Sequence, residues 1–393
     1  MSTASSFAVQ APVLRWARET ARIDQQTAAA RLGVKLNRVE QWEAGQATPT
    51  LNQLRKMSDV YERPLAAFFM RELPDVPEPS RLPDFRRSET REGIDPAPLQ
   101  KAISRAYRQR DALIDILEAT DGNAESGYAA FELDPESSAE EISVELRTAL
   151  DLDSIPRATV LRPEEYARTL IRRAEALGIT VIQTQRVDAR LMRGFSIADG
   201  PCPIIALNGA DWPRGKIYTL IHELAHVGFR TSGLCDLQHE DDGDLERKCE
   251  QIAAATLMPK DQFLSLIDLP DSRALDTDTA RAIGSQFGVS GEAAVLRTIE
   301  LGLAEWDDYW RLKPEFDAAY RAFRTEQREA REGKDPPPIF YQLKARDLGR
   351  RFITRVVEAH RDEAISSRDV SQLLEVSYDK VPKLLSVIGE APA

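Results

Sequence analysis

The chain has 393 residues, of which 42% are hydrophobic and 30% are charged, and this composition excludes a mostly disordered protein. Its length predicts two or three domains rather than one core. The net charge of −12, taken over the whole chain, argues against nucleic-acid binding. The three cysteines form no CxxC pair, which argues against a disulfide framework and against a cysteine zinc knuckle.

No apolar run approaches the length of a membrane span, and the N-terminal residues lack a basic segment followed by an apolar one. We therefore expect a cytoplasmic protein that makes no use of the membrane.

The charge is unevenly distributed along the chain. Residues 1–72 carry ten Lys and Arg against seven Asp and Glu, a local charge of +3, so the remaining residues carry −15. Between these parts, four prolines fall within ten residues, a spacing that favours an extended connector. They are Pro74, Pro77, Pro79 and Pro83. We expect a basic module at 8–72, followed by a proline-rich linker and helical connector at 73–155.

The basic module has the pattern of several short helices. Apolar residues recur at helical spacing from Val13, Gly33 and Gly45 end two helices, and Pro49 precedes another. Short helices joined by a glycine-containing turn indicate a helix-turn-helix, whose second helix enters the major groove of DNA.

Residues 11–70 resemble the lambda-repressor-like (XRE) family of helix-turn-helix domains, because Gln25 begins the first helix of the pair and Trp42-Glu43, Gly45 and Pro49 match the family's ending. The resemblance implies an operator in double-stranded DNA, read by a homodimer on two half-sites. The expected DNA-contacting residues are Gln25, Lys35, Asn37, Arg38 and Gln41. The alternative is a dimerisation or protein-docking module, since a charge of +3 is modest.

After the linker, the pattern changes from helices to short strands. Residues 97–119, 139–150 and a segment from Pro163 to Gly178 predict helices. Three β-branched segments then predict a small sheet. They are ITVIQTQRV, RGFSIADG and PCPIIALN. The last of these is either an exposed edge that a substrate strand can join or a buried strand.

The next helix carries an HExxH motif. His222 and His226 lie at positions i and i+4, on one face, with Glu223 beside the first histidine. Two neutral imidazoles at this spacing hold one cation, and the adjacent glutamate is placed to take a proton from a metal-bound water. The alternative is an ordinary amphipathic helix.

A further helix, DLERKCEQIAAATLMP, places Glu246 and Glu250 on one face. One carboxylate would complete a His₂Glu site of the kind that catalytic zinc uses, and the other would support a ligand histidine. The same ligand set also accepts manganese or iron.

The order of strand, HELAH helix and ExxCE helix resembles the ImmA/IrrE family of metallopeptidases, over about residues 160 to 300. The resemblance implies a gluzincin-like α+β domain at 156–303 and a zinc ion, with His222, His226 and Glu246 as ligands and Glu223 as the catalytic base. Family members more often have Asn or Asp at Glu250, so Glu250 remains an alternative ligand. Tyr218 and His239 are candidates for stabilising the transition state.

Residues 304–393 show no catalytic pattern. They predict a helix to about Arg331, a break at KDPPPI and two further helices. These helices surround LGRRFITRVVEAH and SSRDVSQLLEVS. We interpret this region as an all-α unit for interaction or dimerisation. The expected fold class is thus α+β, with an all-α helix-turn-helix, a metallopeptidase core containing a small sheet, and an all-α tail.

The combined expectation is a DNA-binding transcription regulator with a zinc-dependent endopeptidase domain. The resemblance implies that it cleaves a partner repressor or antitoxin, in stress-response or toxin–antitoxin regulation. The alternative is a non-catalytic regulator whose metal domain senses a ligand or whose tail binds a toxin.

Overall fold

The structure is a computed structural model. It describes residues 9–21, 23–61, 65–70, 97–121, 129–156, 161–231, 233–235, 243–267, 275–332 and 340–389. The chain divides into two compact units, Met1–Arg81 and Leu82–Ala393. The four prolines of the predicted linker lie outside the described residues.

The first unit is a small helical bundle. Its helices are α1 (Ala11–Thr20), α2 (Gln25–Leu32), α3 (Leu36–Glu43), α4 (Leu51–Val60) and a 3₁₀ helix (Leu65–Phe69). The side chain of Asp24 accepts a hydrogen bond from the Thr27 N–H and so begins α2. Gly33 ends that helix with φ 70°, a left-handed conformation that favours glycine. Trp42 is buried in the core of this bundle.

A buried ion pair joins the first three helices. The Arg18 guanidinium donates to both carboxylate oxygens of Glu43, at 2.6 and 2.8 Å, and to the Ile23 carbonyl at 2.8 Å. The Gln25 amide also donates to Glu43, at 2.9 Å. Because bidentate charged hydrogen bonds hold their partners in one geometry, Glu43 fixes α3 against α1 and α2.

The second unit contains thirteen of the described α-helices and one sheet. The helices up to the sheet are α5 (Ala97–Thr120), α6 (Ala139–Ala149) and α7 (Pro163–Ala176). The strands are β1 (Thr180–Thr184), β2 (Gly194–Ile197), β3 (Ile204–Asn208) and β4 (Gly233–Cys235). The helices beyond β3 are α8 (Pro213–Gly228), α9 (Gly243–Leu257), α10 (Lys260–Leu266), α11 (Thr277–Phe287), α12 (Gly291–Glu300), α13 (Trp306–Glu332), α14 (Phe340–Leu348), α15 (Arg350–Arg361), α16 (Ser367–Leu374) and α17 (Val381–Ile388).

The sheet has the order β1-β3-β2-β4, with β3 parallel to β1 and antiparallel to β2. Strand β3 is therefore an interior strand, and all five of its residues are buried. Of the two readings that the sequence allowed for PIIALN, the buried strand is the correct one. The short strand β4, which the sequence analysis did not predict, pairs with β2.

A buried arginine connects three helices of the second unit. Arg297 of α12 is almost fully buried, donates to the Met258 carbonyl at the end of α9 (3.2 Å), and pairs with Glu140 at the start of α6 (2.5 Å). Charged groups are rarely buried unless they are paired in this way.

The C-terminal helices pack on the body of the second unit. Instead of the two helices predicted beyond residue 339, there are four, because α14 and α17 are separate short helices. Their apolar residues share one core with Leu113, Ile116 and Leu117 of α5. Gly349, with φ 80°, lies so close to β1 that a Cβ atom there would come within 2.7 Å of the Val181 carbonyl oxygen.

No helix among the described residues combines the length and the apolar character that a membrane crossing requires.

Glu175 at the end of α7 is a buried carboxylate that contacts the start of α15. Its Oε1 accepts a hydrogen bond from the Arg351 backbone N–H at 3.1 Å. Burial raises the pKa of Glu175 to about 7, although the Arg351 N–H and nearby arginines act in the opposite direction. Its folded-state pKa thus lies above the usual value near 4.5.

We expect Glu175→Gln to make the protein less sensitive to rising pH. The folded form binds this proton more tightly than the unfolded form, so its contribution to stability is full below pH 4.5 and is lost as the pH rises through about 7, by about 3 kcal/mol. Urea unfolding at pH 5 and pH 8 measures the effect. Glu164→Gln, an exposed carboxylate on the same helix, is the matched control. Equal pH dependence of the two variants would contradict the prediction.

Candidate metal centre and nucleic-acid interface

The HExxH motif lies on the most buried helix of the second unit. Pro213 stands in the first turn of α8, where a missing N–H costs no helical hydrogen bond. From there α8 runs between β2, β3, α7 and α9. His222, Glu223 and His226 are 3%, 0% and 4% exposed. The motif therefore places three polar side chains inside the domain rather than on its surface.

Glu246 of α9 meets the two histidines. The Nε2 atoms of His222 and His226 are 3.1 Å apart, and each lies 3.2 Å from a carboxylate oxygen of Glu246. Donors at zinc distances of about 2.1 Å in tetrahedral arrangement are about 3.4 Å apart. These three residues therefore form a cluster with the donor types and spacing of a His₂Glu metal site.

Neighbouring groups orient His226 and shift the pKa values of the cluster. Thr231 Oγ1 lies 3.3 Å from Nδ1 of His226, which leaves Nε2 directed at Glu246. Burial opposes ionisation of Glu246, but its hydrogen bonds to both histidines prevail and lower its pKa. Burial likewise opposes protonation of His226, yet hydrogen bonds to Cys249 and Glu246 raise its pKa.

Glu223 lies against the sheet, at a point where β2 has a glycine. A Cβ atom at Gly194 would come within 2.9 Å of Glu223 Oε1 and within 2.4 Å of Thr219 Cγ2. Glycine at this position therefore gives the carboxylate its space. The sequence analysis missed this residue, because nothing in a strand pattern marks which position faces the helix.

The other candidates of the metal centre are placed differently. The Glu250 residue is exposed and outside the donor cluster, and its backbone carbonyl accepts a hydrogen bond from the Tyr218 hydroxyl at 3.0 Å. Tyr218 therefore joins α8 to α9. His239 and the acidic residues around it lie outside the described residues. Cys249, to which the sequence gave no role, is buried beside His226.

On the first unit, four of the five predicted DNA-contacting residues lie along α3 and at its start, and the fifth, Gln25, begins α2. Lys35 and Asn37 are exposed, and Arg38 and Gln41 are half-buried. The Arg38 guanidinium donates to Gln41 Oε1 at 3.3 Å and lies 5.6 Å from the centre of the Trp42 ring. Gln25 differs from the other four, because its amide nitrogen is bonded to Glu43.

Fold and site together define a DNA-binding helix-turn-helix unit joined to a metallopeptidase-like domain. Comparison with known families agrees: residues 14–68 match the helix-turn-helix family model, and residues 174–298 match the model of the IrrE N-terminal-like domain of the M78 peptidases. The chain is thus a fusion of an XRE-type helix-turn-helix with an ImmA/IrrE-type domain. No curated protein matches it.

We expect Glu246→Gln to abolish metal binding, because it removes the charged donor shared by both histidines. Glu250→Gln, one helical turn away, serves as the matched control and is expected to keep the metal. Metal content after dialysis against zinc measures both. Retention by Glu246→Gln together with loss by Glu250→Gln would assign the ligand role to Glu250 instead.

Proposed function

We propose that the protein is a transcription regulator whose second unit is a zinc-dependent endopeptidase that cleaves a partner repressor or antitoxin. The main support is that His222, His226 and Glu246 lie within hydrogen-bond distance of one another. Glu223 lies on the same buried helix as the two histidines. An HExxH helix with a third carboxylate from a following helix is the arrangement of metal-dependent peptide hydrolysis.

In this proposal, His222, His226 and Glu246 hold the metal. Zinc, when bound, supplies a Lewis acid that acidifies water and polarises a peptide carbonyl. Glu223 takes the proton of the attacking water and passes it to the leaving amine. Its burial favours this role, because the protein keeps bulk water away from the carboxylate and from the proton that it accepts. Tyr218, one helical turn before His222, is the remaining described candidate for stabilising the transition state.

The first unit supports binding to an operator in double-stranded DNA. Helix α3 presents Lys35, Asn37, Arg38 and Gln41, whose side chains suit phosphates and base edges. We expect a homodimer to bind two half-sites, since one unit of this size makes few contacts. DNA binding would bring the peptidase, its partner repressor and the operator together.

Glu223→Gln tests the catalytic part. We expect the variant to keep its metal and its DNA binding, but to cleave about 10²- to 10⁴-fold more slowly because its base is gone. The assay follows cleavage of the helix-turn-helix proteins encoded beside this chain. Glu145→Gln, an exposed carboxylate of α6, is the matched control. Cleavage at the control's rate would exclude Glu223 as the base and favour the non-catalytic regulator.

Lys35→Ala with Arg38→Ala tests the DNA-binding part. Loss of two phosphate-contacting cations is expected to weaken binding to DNA upstream of its own coding sequence and to reduce the slope of log affinity against log salt by about 2. Arg55→Ala with Lys56→Ala removes two exposed cations from α4 and is the control. If both pairs had equal effects, α3 would not be the recognition helix.

A further inference from the structure

At a constant offset of 342 residues, α15, α16 and the turn that follows them repeat the backbone conformation and burial pattern of α1, α2 and the start of α3. Helices α2 and α16 both have eight residues, Gln25–Leu32 and Ser367–Leu374. Each is followed by one residue in the left-handed conformation, Gly33 with φ 70° and Glu375 with φ 52°. Two residues further on, Lys35 and Ser377 have the extended conformation that begins the third helix, with ψ 149° and 144°.

Side chains at equivalent positions do the same work in the two segments. Helices α2 and α16 both begin with a side-chain cap. Asp24 accepts a hydrogen bond from the Thr27 N–H, and Ser366 accepts one from the Asp369 N–H. The buried apolar positions also coincide. The pairs are Leu14 and Val356, Ala17 and Ala359, Ala28 and Val370, Leu32 and Leu374, Val39 and Val381, and Trp42 and Leu384.

One polar link is also repeated. Arg18 donates to the Ile23 carbonyl at 2.8 Å, and His360 at the equivalent position lies 2.8 Å, through Nδ1, from the Ile365 carbonyl. In both segments, the side chain at this position also contacts the third helix or its first turn. Arg18 reaches Glu43, and His360 Nε2 lies 2.9 Å from the Tyr378 hydroxyl. The shared conformation, burial and link give residues 350–389 the local pattern of a helix-turn-helix.

The exposed face of residues 350–389 carries a cation at two of the positions where the first unit has its predicted DNA contacts. The predicted contacts Gln25, Lys35, Asn37, Arg38 and Gln41 correspond to Ser367, Ser377, Asp379, Lys380 and Lys383, and Leu36 corresponds to Tyr378. Ser377, Tyr378 and Lys383 are exposed, and Lys380 is partly exposed. The third helix begins here with a 3₁₀ turn, and α14 packs on α17, but Pro382, Ser386 and Val387 stay exposed as well. The side chains that would face DNA are therefore accessible to solvent.

Two acidic residues at this face, Glu375 and Asp379, form ion pairs. Glu375 in the turn forms ion pairs with Arg105 of α5 at 3.1 Å and Lys344 of α14 at 2.6 Å, and Asp379 pairs with Lys380 at 2.6 Å. Pairing weakens the repulsion that these carboxylates would otherwise exert on phosphate. Of the two macromolecules that such a face suits, DNA is favoured over protein because two cations occupy the positions of Arg38 and Gln41.

We propose that residues 350–389 are a second DNA-contacting element, which binds phosphates and base edges through Tyr378, Lys380 and Lys383. This binding is independent of the peptidase reaction and adds to that of the first unit. It would give the full chain a longer contact with DNA than one helix-turn-helix provides.

The test measures binding of the full chain to a labelled mixed-sequence duplex of about 40 base pairs, over a series of salt concentrations. For Lys380→Glu with Lys383→Glu, we expect about tenfold weaker binding at low salt and a salt slope smaller by about 2. The matched control, Arg172→Glu with Lys260→Glu, makes the same charge change at exposed positions of α7 and α10. Lys35→Ala with Arg38→Ala, in parallel, reports on the first unit alone.

Affinity and salt slope equal to those of the control would overturn the proposal, whatever the first-unit variant does. Equal DNA binding with loss of a protein partner would overturn it too, and would assign this face to protein. Thermal unfolding checks that the charge-reversed variant is folded. If it is not, Asp379→Asn decides: tighter DNA binding supports the proposal, and unchanged binding refutes it.

Discussion

The burial of α8 is the constraint on which the second unit depends. Two imidazoles and a carboxylate lie inside the domain on this helix, and buried polar groups are costly unless other groups compensate them. Helix α9 must therefore run where Glu246 reaches both histidines, and β2 must carry Gly194 where Glu223 needs space. The positions of α9 and β2 thus depend on three side chains of α8.

The sequence predicted which two helices carry the metal-centre residues, but not how those helices are rotated relative to each other. The histidines of α8 and the glutamates of α9 are each spaced at one helical turn, which local pattern shows directly. Glu246 and Glu250 share one face of α9, so spacing alone cannot choose between them. In the structure, the buried residues Cys249 and Ile252 fix how α9 turns toward α8, and that packing depends on contacts distant in sequence.

Long-range contacts also explain what the sequence missed elsewhere. The hydrogen bond from the Gln25 amide nitrogen to Glu43, eighteen residues away, is a contact that the local sequence pattern did not predict. The repeated helix-turn-helix pattern escaped notice because Gly33 and Trp42 correspond to Glu375 and Leu384, so that backbone conformation and burial recur without residue identity. Short helices such as α14 and α17 give too few turns for a clear periodicity.

The close contact at Gly349 has a consequence for how copies of this protein behave beside one another. Because the Thr180 N–H points to Pro203 on the β3 side, the Val181 carbonyl points to the outer edge of β1, where Gly349 lies against it. Open strand edges recruit strands from other molecules and so promote aggregation. The start of α15 therefore shields one edge of the sheet from intermolecular pairing, and a larger residue at Gly349 would expose it and lower solubility.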